Sequence, residues 1–176
     1  MILAIIFFVA VLIYAIFFIT QFYNIIFKDY GPSLSTDKPT ILKIISELKV
    51  KPEISIYELG CGQARFLKQA EKSFPQAKLV GVENSLMLYL WIKLKFLILG
   101  SKIKFINHDA LKINLSEANI IYCWLFKSTM EKLGKKIKEE CKPGTQVISR
   151  SFSIPQFEPV KTLIIENKTV YFYEII

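Results

Sequence analysis

The sequence predicts a doubly wound α/β domain carried behind one apolar helix, and three observations lead there. Residues 54–59 alternate and are β-prone, then meet Gly60 and Gly62; from Gln63 the apolar positions Ala64, Leu67 and Ala70 recur at helical spacing. Strand, tight glycine turn and helix form the opening unit of such a sheet. Further short β-prone runs then alternate with helical stretches, as parallel-sheet folds require. Finally, residues 1–19 are apolar without exception, and no charge appears before Lys28.

The apolar start comes first in the chain. A bilayer core needs about 20 apolar residues in a helix, so residues 1–27 are expected to form an uncleaved transmembrane anchor. A cleaved secretory signal would carry a basic leader and a small-residue cleavage site. No basic residue precedes this run, and Thr20-Gln21-Phe22-Tyr23-Asn24 holds no small-residue pair. Tyr14, Phe22, Tyr23 and Tyr30 suit a membrane interface. The lysine-rich remainder puts the following domain on the cytoplasmic (or matrix) side of a single-pass protein. Residues 28–38 are polar and contain Gly31-Pro32, which reads as a linker. Asp37 or Thr36 caps a helix starting near Pro39, whose apolar stripe of Ile41, Leu42, Ile44, Ile45 and Leu48 is closed by Pro52.

The domain proper, residues 39–176, continues with a strand at 54–59 and a helix at 63–74. A second strand at 78–83 ends in Glu83. Asn84 or Ser85 caps a helix over 86–99 that stops at Gly100. Strands follow at 103–107 and 119–124, then a charged amphipathic helix at 127–140 and a strand at 145–149. Runs 163–165 and 170–175 about a turn at 166–168 close the chain as a hairpin. The expected sheet therefore has seven strands, mostly parallel, with an antiparallel hairpin at its carboxyl end. The helix over 86–99 is apolar almost all round yet too short to span a bilayer. It is either covered on both sides or touches lipid or a partner as well.

Composition narrows the chemistry. The chain carries a formal charge of +8 and is 52% apolar, with a mean hydropathy of +0.37, and the apolar excess sits in the first 27 residues. Arg65 and Arg150 are the only arginines. The lysines read as a solvated surface ahead of a face for anionic lipid or acidic partners. Cys61, Cys123, Cys141 and the lone His108 lack metal-ligand spacing, so no metal and no structural disulfide is expected.

The glycine turn selects the ligand. Dinucleotide sites use G-x-G-x-x-G to bring pyrophosphate onto a helix end; here the third glycine is replaced by Arg65. Glu58 lies directly beneath the turn, where it would repel pyrophosphate and suit a cation. Glu58-Leu59-Gly60-Cys61-Gly62-Gln63-Ala64-Arg65 resembles motif I of the class I S-adenosylmethionine-dependent methyltransferases. Val80-Gly81-Val82-Glu83 resembles motif II, whose strand-end acid binds the ribose hydroxyls, and His108-Asp109-Ala110 resembles the next motif, whose aspartate accepts from the adenine amino group. Singly, the glycines could serve any tight turn, Glu83 a helix cap and Asp109 a turn; in order and at strand ends they form a set. The resemblance covers roughly residues 39–176 and implies a Rossmann-like fold with S-adenosyl-L-methionine as cofactor. It assigns cofactor contacts to Glu58, Gly60, Cys61, Gly62, Glu83, Asn84, Asp109, Ala110 and Tyr122, with Glu58 facing the methionine ammonium. Ala64, where the family often has glycine, is a mild departure.

A narrower resemblance takes in the anchor, the linker, Tyr122-Cys123-Trp124-Leu125-Phe126 and Ser149-Arg150-Ser151-Phe152-Ser153-Ile154-Pro155. This layout is similar to the small membrane-anchored protein-lysine methyltransferases of the adenine nucleotide translocase and ATP synthase c-subunit type, and to their prokaryotic relatives. It implies methylation of a lysine on a membrane or membrane-associated protein, with no nucleic acid partner. Tyr122, Trp124, Phe126 and Phe152 are then candidates for a substrate channel, where a water-poor wall would lower a lysine's pKa; core packing is the alternative for each. No Asn/Asp-Pro-Pro-Tyr segment follows the fourth strand, and no general base stands out. Two rival readings remain: methylation of a lipid or hydrophobic small molecule, and a non-catalytic membrane-tethered binding module.

Overall fold

A computed structural model of the chain describes residues 1–27, 35–50 and 53–176, the side chains of 20–27 excepted. Residues 28–34 of the expected linker, Pro52 as a helix stop, and the side chains of Phe22, Tyr23 and Tyr30 lie outside the described residues. Contacts divide the chain into two units, Met1–Pro32 and Ser33–Ile176. The first contains helix α1 (Ile2–Phe27). Its stretch Ile2–Ile19 is long and apolar enough to cross a membrane, and none of that stretch is buried. At 1.5 Å per residue, its 26 residues reach about 39 Å, beyond the roughly 30 Å hydrocarbon core.

In the second unit, alternation along the strands builds a three-layer domain. Helix α2 (Lys38–Ser46) leads into β1 (Ser55–Leu59), α3 (Arg65–Ser73), β2 (Lys78–Glu83), α4 (Leu86–Ile98) and β3 (Lys104–Asn107). Then come β4 (Ile120–Cys123), α5 (Lys127–Glu140), β5 (Gln146–Arg150), β6 (Lys161–Ile165) and β7 (Lys168–Glu174). One seven-stranded sheet results, in the order β3-β2-β1-β4-β5-β7-β6. Strands β1 to β5 pair in parallel, and β7 runs antiparallel to both β5 and β6. The sequence-based expectation of a mostly parallel seven-stranded sheet with a closing hairpin is met.

Period-two alternation sends Ile56, Leu79, Ile120 and Tyr122 to one face, where they pack with Ile41 and Ile44 of α2, Phe66 and Leu67 of α3, and Ile92 and Phe96 of α4. Leu59, Val80, Val82, Ile121 and Val147 go to the other, against Met130, Leu133 and Ile137 of α5. Helix α4 buries one ridge only, Leu88, Ile92 and Phe96; its opposite side is exposed, so the elements of this second unit do not cover it on both sides.

The entry to the domain carries the expected helix cap and, on the same side chain, an ion pair that the sequence did not suggest. Asp37 caps α2, its Oδ1 accepting from the Thr40 N–H at 2.8 Å. Its Oδ2 accepts from Arg150 Nη2 at 3.0 Å, and the Arg150 side chain is only 3% exposed. Burial pushes the Asp37 carboxyl up, but Thr40 and Arg150 outweigh it and hold the pKa at about 2. A cap contributes about 1 kcal/mol. The ion pair contributes less than a fully buried one, because Asp37 is 31% exposed. Asp37→Ala is therefore expected to lower stability by about 2 kcal/mol in urea unfolding, and Asp37→Asn by less, since it keeps a capping oxygen. An unaltered midpoint for Asp37→Ala would show that neither contact matters.

Candidate active site

The turn after β1 needs three left-handed residues in five. Gly60, Gly62 and Ala64 have φ of +69°, +52° and +53°, a region glycine enters freely and alanine at a cost of about 1–2 kcal/mol. A Cβ on Gly60 would also lie 2.7 Å from Leu125 Cδ2. This conformation delays α3, which begins at Arg65 rather than at Gln63. It also points the Gly62 N–H at Glu83 Oε2, 2.9 Å away. The other Glu83 oxygen accepts from the Ser85 N–H at 2.8 Å, so the acid ending β2 braces the turn following β1. Burial raises the Glu83 pKa against the opposing N–H groups of Ser85, Gly62 and Asn84.

β1 is the topological switch point: the chain builds β2 and β3 on one side of it, then returns to place β4 on the other. Ligands in such sheets bind at the carboxyl ends of the strands at this position. There lies an open cleft of about 330 Å3, open solvent at its entrance included, lined by Glu58, Gly60, Cys61, Tyr122 and Trp124 among others. Glu58 is 6% exposed, and its Oε2 accepts from the Leu67 N–H at 3.2 Å. Burial first, and the Glu83 charge after it, push the Glu58 carboxyl up to about 8. Cys61 is raised well above an ordinary thiol by burial, then by Glu58 and Glu83, which leaves it an inert wall.

Farther along the same strand ends, Asn107 Nδ2 donates to the carbonyls of Glu83 at 2.8 Å and Asn84 at 3.1 Å. The His108 N–H donates to the Glu83 carbonyl at 3.2 Å, which sets Asp109 beside the end of β2. Asp109 Oδ1 accepts from the Leu111 N–H at 2.9 Å, and Ala110 is buried against the α5-side core.

A family model for the ANTKMT methyltransferase domain matches residues 58–161, which run from the cleft carboxylate through the strand ends just described. The chain belongs to this family. This methyltransferase is 28% identical over 155 residues to a curated protein-lysine N-methyltransferase of Saccharolobus islandicus (strain REY15A), covering 85% of this chain and 96% of that one. An RNA methyltransferase of Salinibacter ruber, solved with S-adenosyl-L-homocysteine, is 27% identical with a TM-score of 0.75, covering 81% of this chain and 94% of that one. The precorrin-6y C5,15-methyltransferase of Geobacter metallireducens GS-15, at 9% identity and TM-score 0.66 over 82% and 91% of the two chains, shares the fold. The methyltransferase is S-adenosylmethionine-dependent.

Its residues fit that cofactor. Glu58 is a carboxylate that burial and the Glu83 charge push toward neutrality, so it suits a cationic partner, and S-adenosylmethionine is cationic at two groups. Glu83 accepts from the Gly62 N–H on one oxygen and the Ser85 N–H on the other, and a carboxylate's roughly four lone-pair sites leave room for a diol. The glycine turn keeps its backbone bare.

The four aromatic candidates of the methyltransferase do not form one wall. Tyr122, in β4, and Trp124, just past its end, both line the cleft. Tyr122 is stacked on Phe66 at 4.3 Å and its hydroxyl is 2.6 Å from Thr36 Oγ1. Trp124 has the cationic groups of Arg150 and Lys168 each 4.4 Å from its ring centre. Phe126 sits outside the cleft at the cap of α5, and Phe152 packs into the core on the α5 side. Ser35, Thr36, Gln63 and Arg65 complete the lining; of these, Ser35 and Thr36 were hidden in a stretch that reads as linker.

Proposed function

We propose that this methyltransferase modifies a protein lysine and works tethered to a membrane, with α1 as the anchor, residues 28–38 as a linker and residues 39–176 as the catalytic domain on the cytoplasmic (or matrix) side. The observation that carries the lysine reading is the reach of the likeness. The relative named as a protein-lysine N-methyltransferase is matched over 96% of its length, not over a donor-binding segment alone.

S-adenosylmethionine, when bound, supplies a methyl group on a sulfonium. Glu58 offers a buried carboxylate to the donor's cationic end. Glu83 accepts from the ribose diol while bracing Gly62, and Asp109 accepts from the adenine amino group. Gly60, Cys61, Gly62, Asn84 and Ala110 contribute backbone along the same rim. Tyr122 and Trp124 line the cleft, and an incoming lysine packed against their rings would be partly desolvated, which favours the neutral amine it needs to act as a nucleophile. Holding two reactants in line contributes up to about 7–11 kcal/mol, so the chain's main work is placement.

Membranes incubated with the native chain and isotope-labelled S-adenosylmethionine are expected to yield label in protein, recovered as methylated lysine after hydrolysis. Label in extractable lipid or in RNA would contradict the lysine reading. Retention of the chain after an alkaline carbonate wash is expected of the anchor, and release would contradict it.

A further inference from the structure

Helix α4 shows a surface that methyl transfer does not need. At 3.6 residues per turn, Leu88, Ile92 and Phe96 form its buried ridge. Leu86, Leu90, Leu94, Leu97 and Ile98 project from the far side with Trp91 beside them, each between 50% and 76% exposed. Monomers rarely present contiguous apolar patches larger than a few hundred Å2 without a binding role. Helix α5 of the same domain has a charged exterior, with Lys127, Glu131, Lys132, Lys135 and Glu139 exposed, so apolar exteriors are not general here.

Charge favours one occupant. No acidic residue lies in α4. Lys93 and Lys95 fall on opposite borders of the apolar face, their ammonium groups 5.5 Å and 5.8 Å from the ring centres of Tyr89 and Phe96. Lysine stems along apolar surface with heads at its margins are the arrangement of interfacial helices. Exposed Lys102 and Lys104 follow in the turn and edge strand beyond α4. With 13 residues, α4 is about 20 Å long, too short to cross a bilayer and suited to lying along one.

We propose that the outer face of α4 docks onto anionic lipid, seating Leu90, Trp91, Leu94, Leu97 and Ile98 in the headgroup–acyl boundary with Lys93 and Lys95 at the phosphates. The helix starts three residues after Glu83, so this contact holds the donor site at the membrane surface. The proposal takes from the anchor reading of α1 only that a bilayer is near.

The test uses the full chain in vesicles of phosphatidylcholine and phosphatidylglycerol with brominated acyl chains. Trp91 is one of two tryptophans, so the difference between the native chain and Trp91→Phe isolates its signal. Brominated lipid should at least halve the Trp91 emission, less so in purely zwitterionic vesicles, and Leu90→Glu/Leu94→Glu should abolish the effect without altering the circular dichroism. Equal quenching of the native chain and Trp91→Phe overturns the proposal, as does a cross-linked dimer or protein partner through α4 that shields Trp91 from lipid. Carbonate retention without Trp91 quenching ends the α4 proposal and leaves α1 as anchor; release with quenching intact does the reverse.

Discussion

Glu83→Ala is expected to weaken S-adenosylmethionine binding at least about 100-fold by calorimetry. Hydrogen bonds to a charged group contribute about 1.5–3 kcal/mol each, and two from the ribose diol give about 3 kcal/mol at the low end, or two decades. The variant also strips the Gly62 and Ser85 N–H groups of their acceptor, so some of the loss is a loosened turn. Glu83→Gln is intermediate: its NH2 must face either the Gly62 or the Ser85 N–H, both donors, so it keeps one brace of two. It should melt between Glu83→Ala and the native chain, with binding still weak because the NH2 cannot accept from a hydroxyl. Native affinity in Glu83→Ala would place the ribose elsewhere.

The second large effect is on pH dependence and belongs to Glu58. Its folded-state pKa is raised to about 8 from 4.5, so the free protein keeps this carboxyl protonated at neutral pH. A cationic ligand favours the ionised form, and binding below pH 8 must then expel a proton. Donor affinity should therefore fall by up to about tenfold per unit as pH drops. Measured between about pH 6 and 7, this slope is clear of the donor's own α-amino group, which titrates near 8. Glu58→Gln should bind weakly with a flat profile; a native slope in that variant would assign the proton to another group. The same shift has a stability consequence of definite sign. Between 4.5 and about 8 the folded chain holds a proton that the unfolded chain has released. Stability of the free protein from this group is thus full below the unfolded pKa and declines as pH rises through that window.

What could be read from residues alone follows from the range of the interactions. Strand alternation and the paired glycines are local signals, and β2 and α5 fall within the limits their patterns suggest. The turn was legible in Gly60 and Gly62 but not in full: an alanine does not advertise a left-handed φ, and Ala64 shifts the start of α3 by two residues. Thr36 and Asp37 look like the end of a polar linker because their partners, Tyr122 and Arg150, are 86 and 113 residues away. Among the aromatics, Tyr122 lies in β4 while Trp124 and Phe126 both lie past its end. Only the course of the chain there leaves Trp124 in the cleft lining without Phe126, and Phe152 packs against the opposite core, a separation that composition cannot reveal. Helix α4 was ambiguous for a related reason, since both of its faces are equally apolar and only packing shows which one is left bare.

A structure of the full chain with S-adenosyl-L-homocysteine tests the site most directly. The ribose hydroxyls should lie on Glu83, the amino-acid end in the cleft between Glu58 and Tyr122, and the sulfur toward Trp124. A ligand bound away from the Gly60–Gly62 turn, or with Glu83 untouched, would contradict the assignment on which the mechanism rests.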